Sequence, residues 1–357
     1  MTSAASLPAT DVPPIEDQAA EARASTSTSA RTWNRLLAPY KRPHRGRALL
    51  QVATSVVPFV LLWAAMAWSV GVSYWLTAAL AVPAAGFFLR VFMIQHDCGH
   101  GSFFRSPRAN HWLGATLGVV TFFPYGYWRR THAIHHATHG NLDRREFGDI
   151  ATLTVREYQA LSRWGRLGYR LYRNPFVLFV LGPLYQFVLK HRFPFDTPFA
   201  WKREWASVMG TNLAILAIGG ALSWWLGWQT VVIVQVAIVM LAGSIGVWLF
   251  YVQHQFEESY WDEGDEWDFY RAGAHGSSFY DLPRILHWFT ANIGYHHIHH
   301  LSSRIPNYRL RECFEENAEL RRVTHLTLWE SLACARLRLW DEERRLLVGF
   351  RELRRPA

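Results

Sequence analysis

Histidine is concentrated at three points of this chain, in patterns that suit metal binding. The stretches are HDCGH, with His96 and His100; HAIHH, with His132, His135 and His136; and HHIHH, with His296, His297, His299 and His300. On a helix, positions i, i+3 and i+4 share a face, so His96 and His100 converge. His132, His135 and His136 fall within an arc of about 100° at 3.6 residues per turn, and so do His296, His299 and His300. The same arithmetic leaves His297 outside the arc. Eight converging imidazoles are too many for one ion, because zinc takes four ligands and a catalytic zinc three plus water. They suit two transition-metal ions. Imidazole binds Zn, Cu, Fe and Ni, so the ligand type alone does not select the metal. Isolated histidines such as His44, His191 and His325 are read as surface or hydrogen-bonded residues.

The elements that must position these clusters are membrane spans. Four apolar runs, approximately 49–70, 74–94, 207–228 and 230–252, reach the roughly 20 residues that a helix needs to cross a bilayer. About three residues join the first pair and the last pair, which makes two helical hairpins. Arg90 is the one charge within them, near the end of the second span, where it is expected to snorkel to the interface. Two shorter runs, 112–124 and 176–189, are expected to be interfacial or re-entrant. The spans give the composition its meaning. Half the residues are hydrophobic and 15% aromatic, yet mean hydropathy is only −0.03, because arginine-rich stretches alternate with the apolar runs.

The net charge is +9 and the pI about 9.7, a balance that suits an anionic membrane surface; the apolar runs argue against nucleic acid as a partner. Lys41, Arg42, Arg45 and Arg47 precede the first span, and both the 95–206 segment and the tail after 253 are rich in arginine. The hairpin turns 71–73 and 227–229 carry no charge. By the positive-inside rule both termini and all three histidine stretches face the cytoplasm. Trp224, Trp225 and Trp228, with Trp201 and Trp205 at the other face, suit aromatic belts. Cys98, Cys313 and Cys334 form no CxxC pair, which fits a reducing compartment. Residues 1–30 are rich in Ala, Ser, Thr and Pro and are expected to be disordered; residues 31–340 are expected to be one membrane domain and 341–357 a basic tail.

The order HDCGH, HAIHH, HHIHH, with a span hairpin between the second and third, resembles the membrane fatty acid desaturases. The surrounding text, QHDCGHGSFF, THAIHHATHGNLDRREFGDI, FYVQHQFE and FTANIGYHHIHHLSSRIPNYRL, extends the likeness over roughly 45–330 and is similar to the bacterial acyl-lipid branch of the delta-12 (omega-6) type. The resemblance implies an all-α integral membrane fold: four transmembrane helices in two hairpins, under a cytoplasmic helical cap with a histidine-rich di-iron site. It implies two iron ions held by His96, His100, His132, His135, His136, His296, His299 and His300, with O2 as co-substrate. Relatives add a ligand from the end of the fourth span, where this chain has His254. Some also place an asparagine one turn earlier, where this chain has Phe250.

The implied activity is an oxidoreductase that introduces a cis double bond into the acyl chain of a membrane lipid, in a bacterial inner membrane. No GxGxxG, CxxC or His-Pro-Gly-Gly motif is present, so electrons are expected from an external ferredoxin or small cytochrome. Arg156, Arg163, Arg166, Arg170 and Arg173 form a basic stretch that could meet that partner or anionic lipid. Asp97, Asp149, Glu257, Glu258 and Asp281 are candidates to hold the second ring nitrogen of a ligating histidine. His139 is set aside because Gly140 is expected to end the helix, and Cys98 is read as packing. The alternatives are a hydroxylase, ketolase or alkane oxygenase on the same scaffold, and a metal-dependent membrane binding protein or transporter without redox turnover.

Overall fold

A computed structural model describes residues 30–145 and 148–354; the expected disordered tail lies outside them except for Ala30. Four long helices dominate: α1 (Arg45–Ser69), α2 (Tyr74–His100), α7 (Lys202–Leu226) and α8 (Trp228–His254). Between the hairpins come α3 (Pro107–Val120), α4 (Tyr125–Thr138), α5 (Arg163–Tyr172) and the apolar α6 (Val177–Lys190). After α8 come α9 (Phe269–His275), α10 (Arg284–Phe289), α11 (His296–Leu301) and α12 (Asn307–Glu316).

The long helices are apolar, and α1, α7 and α8 turn most of their apolar residues outward. Only 11% of the most apolar window of α7 is buried, and 22% of that of α1. Leu61, Trp75, Leu213, Leu216, Trp224 and Trp225 are all exposed. Such a surface is unstable in water and at ease in lipid, which makes these helices membrane spans. The inner sides of α1, α2 and α8 share one core, with Phe59, Met66, Phe88, Ile94, Val234 and Ile238 buried in it. Trp68, Trp75, Trp224, Trp225 and Trp228 ring the two tight turns, as an aromatic belt would.

The helices overrun the spans read from hydropathy. α2 continues from residue 94 to His100, and α8 from 252 to His254. Gly101 stops α2 in a left-handed conformation at φ 66°, with Gly101 N–H donating to the Cys98 carbonyl and Ser102 N–H to that of Asp97. Arg90 departs from the snorkelling expectation. It is buried, donates to Ser55 Oγ and the Trp288 carbonyl, and lies 3.8 Å from the centre of the Trp288 ring. Polar partners on α1 and α10 make an internal position cheaper for this guanidinium than the interface.

The cap is mostly helical, with short strands. β1 (Leu153–Thr154) runs parallel to β4 (Leu339–Asp341), which pairs antiparallel with β5 (Leu346–Val348). β2 (Phe279–Asp281) runs parallel to β3 (His325–Thr327). Strands of two or three residues leave no alternation to read in a sequence. Residues 341–348, part of the expected basic tail, close the β4–β5 hairpin, and Leu347 and Val348 are buried.

Candidate metal centre

The histidines meet where the C-terminal ends of α2 and α8 reach α4 and α11. His96 and His100 stand on the last turns of α2, His254 is the last residue of α8, and His132, His135 and His136 face them from α4. His296, His299 and His300 enter on α11, whose approach passes through Ala291 and Asn292, both at positive φ.

The ring nitrogens fall into two groups, each with its atoms within 4.8 Å of one another. The first holds His96, His100, His132, His136 and His299. The second holds His135, His254, His296 and His300. Within the first, Nε2 atoms lie 3.1 Å apart for His96 and His132, 3.2 Å for His132 and His136, and 3.0 Å for His136 and His299. Within the second, His254 and His296 Nε2 are 2.9 Å apart.

These contacts fit a metal ion better than hydrogen bonding. His135 Nδ1 lies 2.6 Å from Asp149 Oδ1, His96 Nδ1 3.1 Å from Asp97 Oδ1 and His254 Nδ1 3.3 Å from the Gly276 carbonyl. Each Nδ1–H donates outward, so each Nε2 turns a bare lone pair towards its neighbours. The Nε2 atoms of His100, His135 and His300 are buried without a hydrogen-bond partner. Lone pairs pressed together and orphaned need a cation. Nitrogens about 2.1 Å from one ion stand roughly 3.0–3.4 Å apart, close to the spacings seen. Burial first, and neighbouring imidazoles second, hold His132, His136, His296, His299 and His300 well below the ordinary histidine pKa. At neutral pH they are uncharged, as ligands must be.

The surroundings sort the remaining candidates. Asp97 also accepts from Asn307 N–H at 2.7 Å and from Asn307 Nδ2 at 2.8 Å, which ties the first group to the start of α12. Glu257, Glu258 and Asp281 are exposed, and among the described residues none bonds a histidine of the two groups. Phe250 fills the position one turn before His254, its ring 4.9 Å from that of His254 and 5.1 Å from that of His135. His297 turns away, with Nε2 3.0 Å from the Leu320 carbonyl. Cys98 is core packing. Arg173 leaves the basic stretch: it is fully buried and donates to the Ala151 and Leu337 carbonyls, Thr152 Oγ1, Tyr251 Oη and Gln255 Oε1.

His139, set aside on the expectation that Gly140 ends the helix, lies beside the second group although the helix does end there. It caps α4, its Nε2 is 2.7 Å from the Gly276 carbonyl and 3.2 Å from His254 Nδ1, and it shares Asp149 with His135. Burial pushes its pKa down to about 4. The available signal was its i+4 spacing from His135.

Residues 73–331 match the family model described as fatty acid desaturase. Over 318 residues the chain is 48% identical to a fatty acid desaturase of Bacillus subtilis (strain 168), covering 89% of this chain and 90% of that one. It is 31% identical over 237 residues to a Synechocystis protein named sn-1 acyl-lipid omega-3 desaturase (ferredoxin), covering 64% and 63%. It is 30% identical over 285 residues to an endoplasmic-reticulum omega-3 fatty acid desaturase of Vigna radiata, covering 74% and 71%.

Proposed function

Because this chain belongs to the fatty acid desaturase family, a family of oxidoreductases, we propose that it is an oxygen-dependent acyl-lipid desaturase with two irons. One is held by His96, His100, His132, His136 and His299 and the other by His135, His254, His296 and His300. The observation that carries this reading is the division of nine ring nitrogens into two compact groups. An unactivated methylene C–H bond is not acidic, so no general base can break it. Bound iron supplies the redox chemistry with O2 that can. The protein's own part is positional. Asp97, Asp149 and the Gly276 carbonyl fix ring orientation, and Phe250 keeps an apolar wall against the second group. Each turnover takes one –CH2–CH2– unit, one O2, two electrons and two protons to one –CH=CH– unit and two waters. We assign the electrons to a ferredoxin or small cytochrome, the substrate to the acyl chain of a membrane lipid, and the site to the cytoplasmic face of a bacterial inner membrane.

The test is iron analysis and product analysis on the same preparation. Purified protein with iron, reduced ferredoxin and a saturated or monounsaturated acyl lipid is expected to hold close to two irons per chain and give a product lighter by two hydrogens. A product heavier by one oxygen would make it a hydroxylase. One zinc and no iron in active protein would overturn the di-iron assignment.

A further inference from the structure

Trp261 forms a wall shared by two features. On its inner side it lines a narrow cleft with His139, Asp149, Phe250 and His254. On its outer side it lines a surface recess with Tyr260, Arg271, Trp340 and Arg345. The indole is 2% exposed and its N–H is buried without a partner. Its ring centre is 6.2 Å from that of His139, which is in turn 4.1 Å from that of His254. We propose that Trp261, with His139 behind it, is the bridge by which electrons cross from a soluble one-electron carrier at the recess to the histidine cluster. The proposal rests on the iron reading of that cluster.

The backbone is built to hold this bridge. Asp262 N–H donates to the Gly140 carbonyl and Leu142 N–H to that of Asp262, each at 2.9 Å, so the strip carrying Trp261 is laced to the chain that leaves His139. Trp267 Nε1 donates to the His139 carbonyl at 2.9 Å. A side chain at Gly276 would put its Cβ 2.8 Å from His139 Nε2, so glycine there lets the ring lie against His254. Trp128 offers a contrast: it stacks on His132 at 4.5 Å but is backed by the Phe92 ring of α2 and does not line the recess. His139 and Trp261 are the aromatic pair that joins the second group to the recess. Two electrons cross per turnover, one from each of two iron–sulfur or haem carriers. The indole acts as a tunnelling bridge. It is left neither oxidised nor reduced, and no bond in it forms or breaks.

The test follows ferric-to-ferrous conversion without oxygen, by freeze-quench Mössbauer spectroscopy of iron-loaded protein mixed with reduced plant-type ferredoxin or a small b-type cytochrome. Trp261→Leu is expected to keep wild-type iron content and ferric spectrum, to be reduced by dithionite at the wild-type rate, and to be reduced by the carrier at least about tenfold more slowly. Trp261→Phe, which restores a ring, should recover part of the rate. Carrier reduction of Trp261→Leu at the wild-type rate would overturn the proposal. So would equal slowing with dithionite, loss of iron, or a wild-type protein whose iron neither carrier reduces. A wild-type preparation that binds no iron would instead bring down the metal assignment.

Discussion

The two histidine groups differ in number, burial and support. The first has five members, of which His100, His132 and His136 are only partly buried. The second has four, all buried. Its rings are braced by Asp149, the Gly276 carbonyl and His139, whereas the described support of the first is Asp97. A site with a spare ligand and some access can lose one nitrogen and still hold an ion. A site with four sealed ligands has no nitrogen to spare and little water to replace one, so it should hold its ion less firmly after such a loss. The difference teaches that neighbouring sites that share α4 and α11 but draw their other ligands from different helices, α2 for the first and α8 for the second, need not be equally tight.

The largest effects should come from breaking the smaller group. His300→Ala and His254→Ala are expected to lower activity by well over about 100-fold, beyond what losing a supporting residue costs, and to bring iron from two towards one per chain. His100→Ala, which leaves four nitrogens in its group, should retain more iron than either. Metal analysis of the three purified variants decides it: equal loss in all would erase the asymmetry.

Removing a brace should cost less. Asp149→Asn keeps the shape beside His135 but weakens the hold on its Nδ1, and should lower activity or iron affinity about 10–100-fold. Timed release of iron to a chelator would show whether the second group has become the leakier one. If Asp97→Asn releases iron just as fast, bracing does not distinguish the groups.

His297→Ala probes the histidine outside both groups. It should keep close to two irons and measurable activity, while leaving the Leu320 carbonyl unpaired at a stability cost of roughly 1–3 kcal/mol. Complete loss of activity would place His297 in the metal centre after all.

Acidity gives the smallest effect. Burial pushes the His297 pKa down to about 3, against roughly 6.5 in an unfolded chain. Above the unfolded value both states are neutral and stability is flat. As pH falls below it, the unfolded state takes a proton that the folded state refuses, so stability falls, by up to about 1.4 kcal/mol per pH unit. Thermal unfolding of metal-free protein between about pH 7.5 and pH 5 should show a shallower slope for His297→Gln than for wild type. Identical slopes would mean that other histidines carry the dependence.

The spans and the histidine stretches were legible because each rests on a strong local rule: run length for the spans, helical spacing for the histidines. Which histidines share a group was not. On α4, His132 and His136 join the first group and His135 the second; on α11, His296 and His300 join the second and His299 the first. Positions i and i+4 lie on one stripe and i+3 on the far edge of the arc, so each helix straddles both groups. Which stripe meets which partner depends on how the helices are rotated against one another, and no single segment encodes that. Arg173 shows the same limit. Among neighbouring arginines it reads as surface charge, yet it turns inward to bind the residues beside His254 and Asp149. The β4–β5 hairpin hid behind its arginines for a related reason, since its strands are too short to show a period.

The unbroken run of α2 from the membrane into HDCGH fixes the altitude of the chemistry. Its 27 residues span about 40 Å, against a hydrocarbon thickness of roughly 30 Å, so an upright α2 is a mast that carries His96 roughly 3 Å and His100 roughly 10 Å clear of the hydrocarbon. That mast cannot be trimmed smoothly. Deleting one residue would lower the imidazoles by only about 1.5 Å but swing them through about 100°, away from α4 and α11. The height of the reactive point above the lipid is therefore quantised. On the desaturase reading, variation in which carbons lose hydrogen must come from reshaping the path the acyl tail takes to the mast, while the mast itself stays one length.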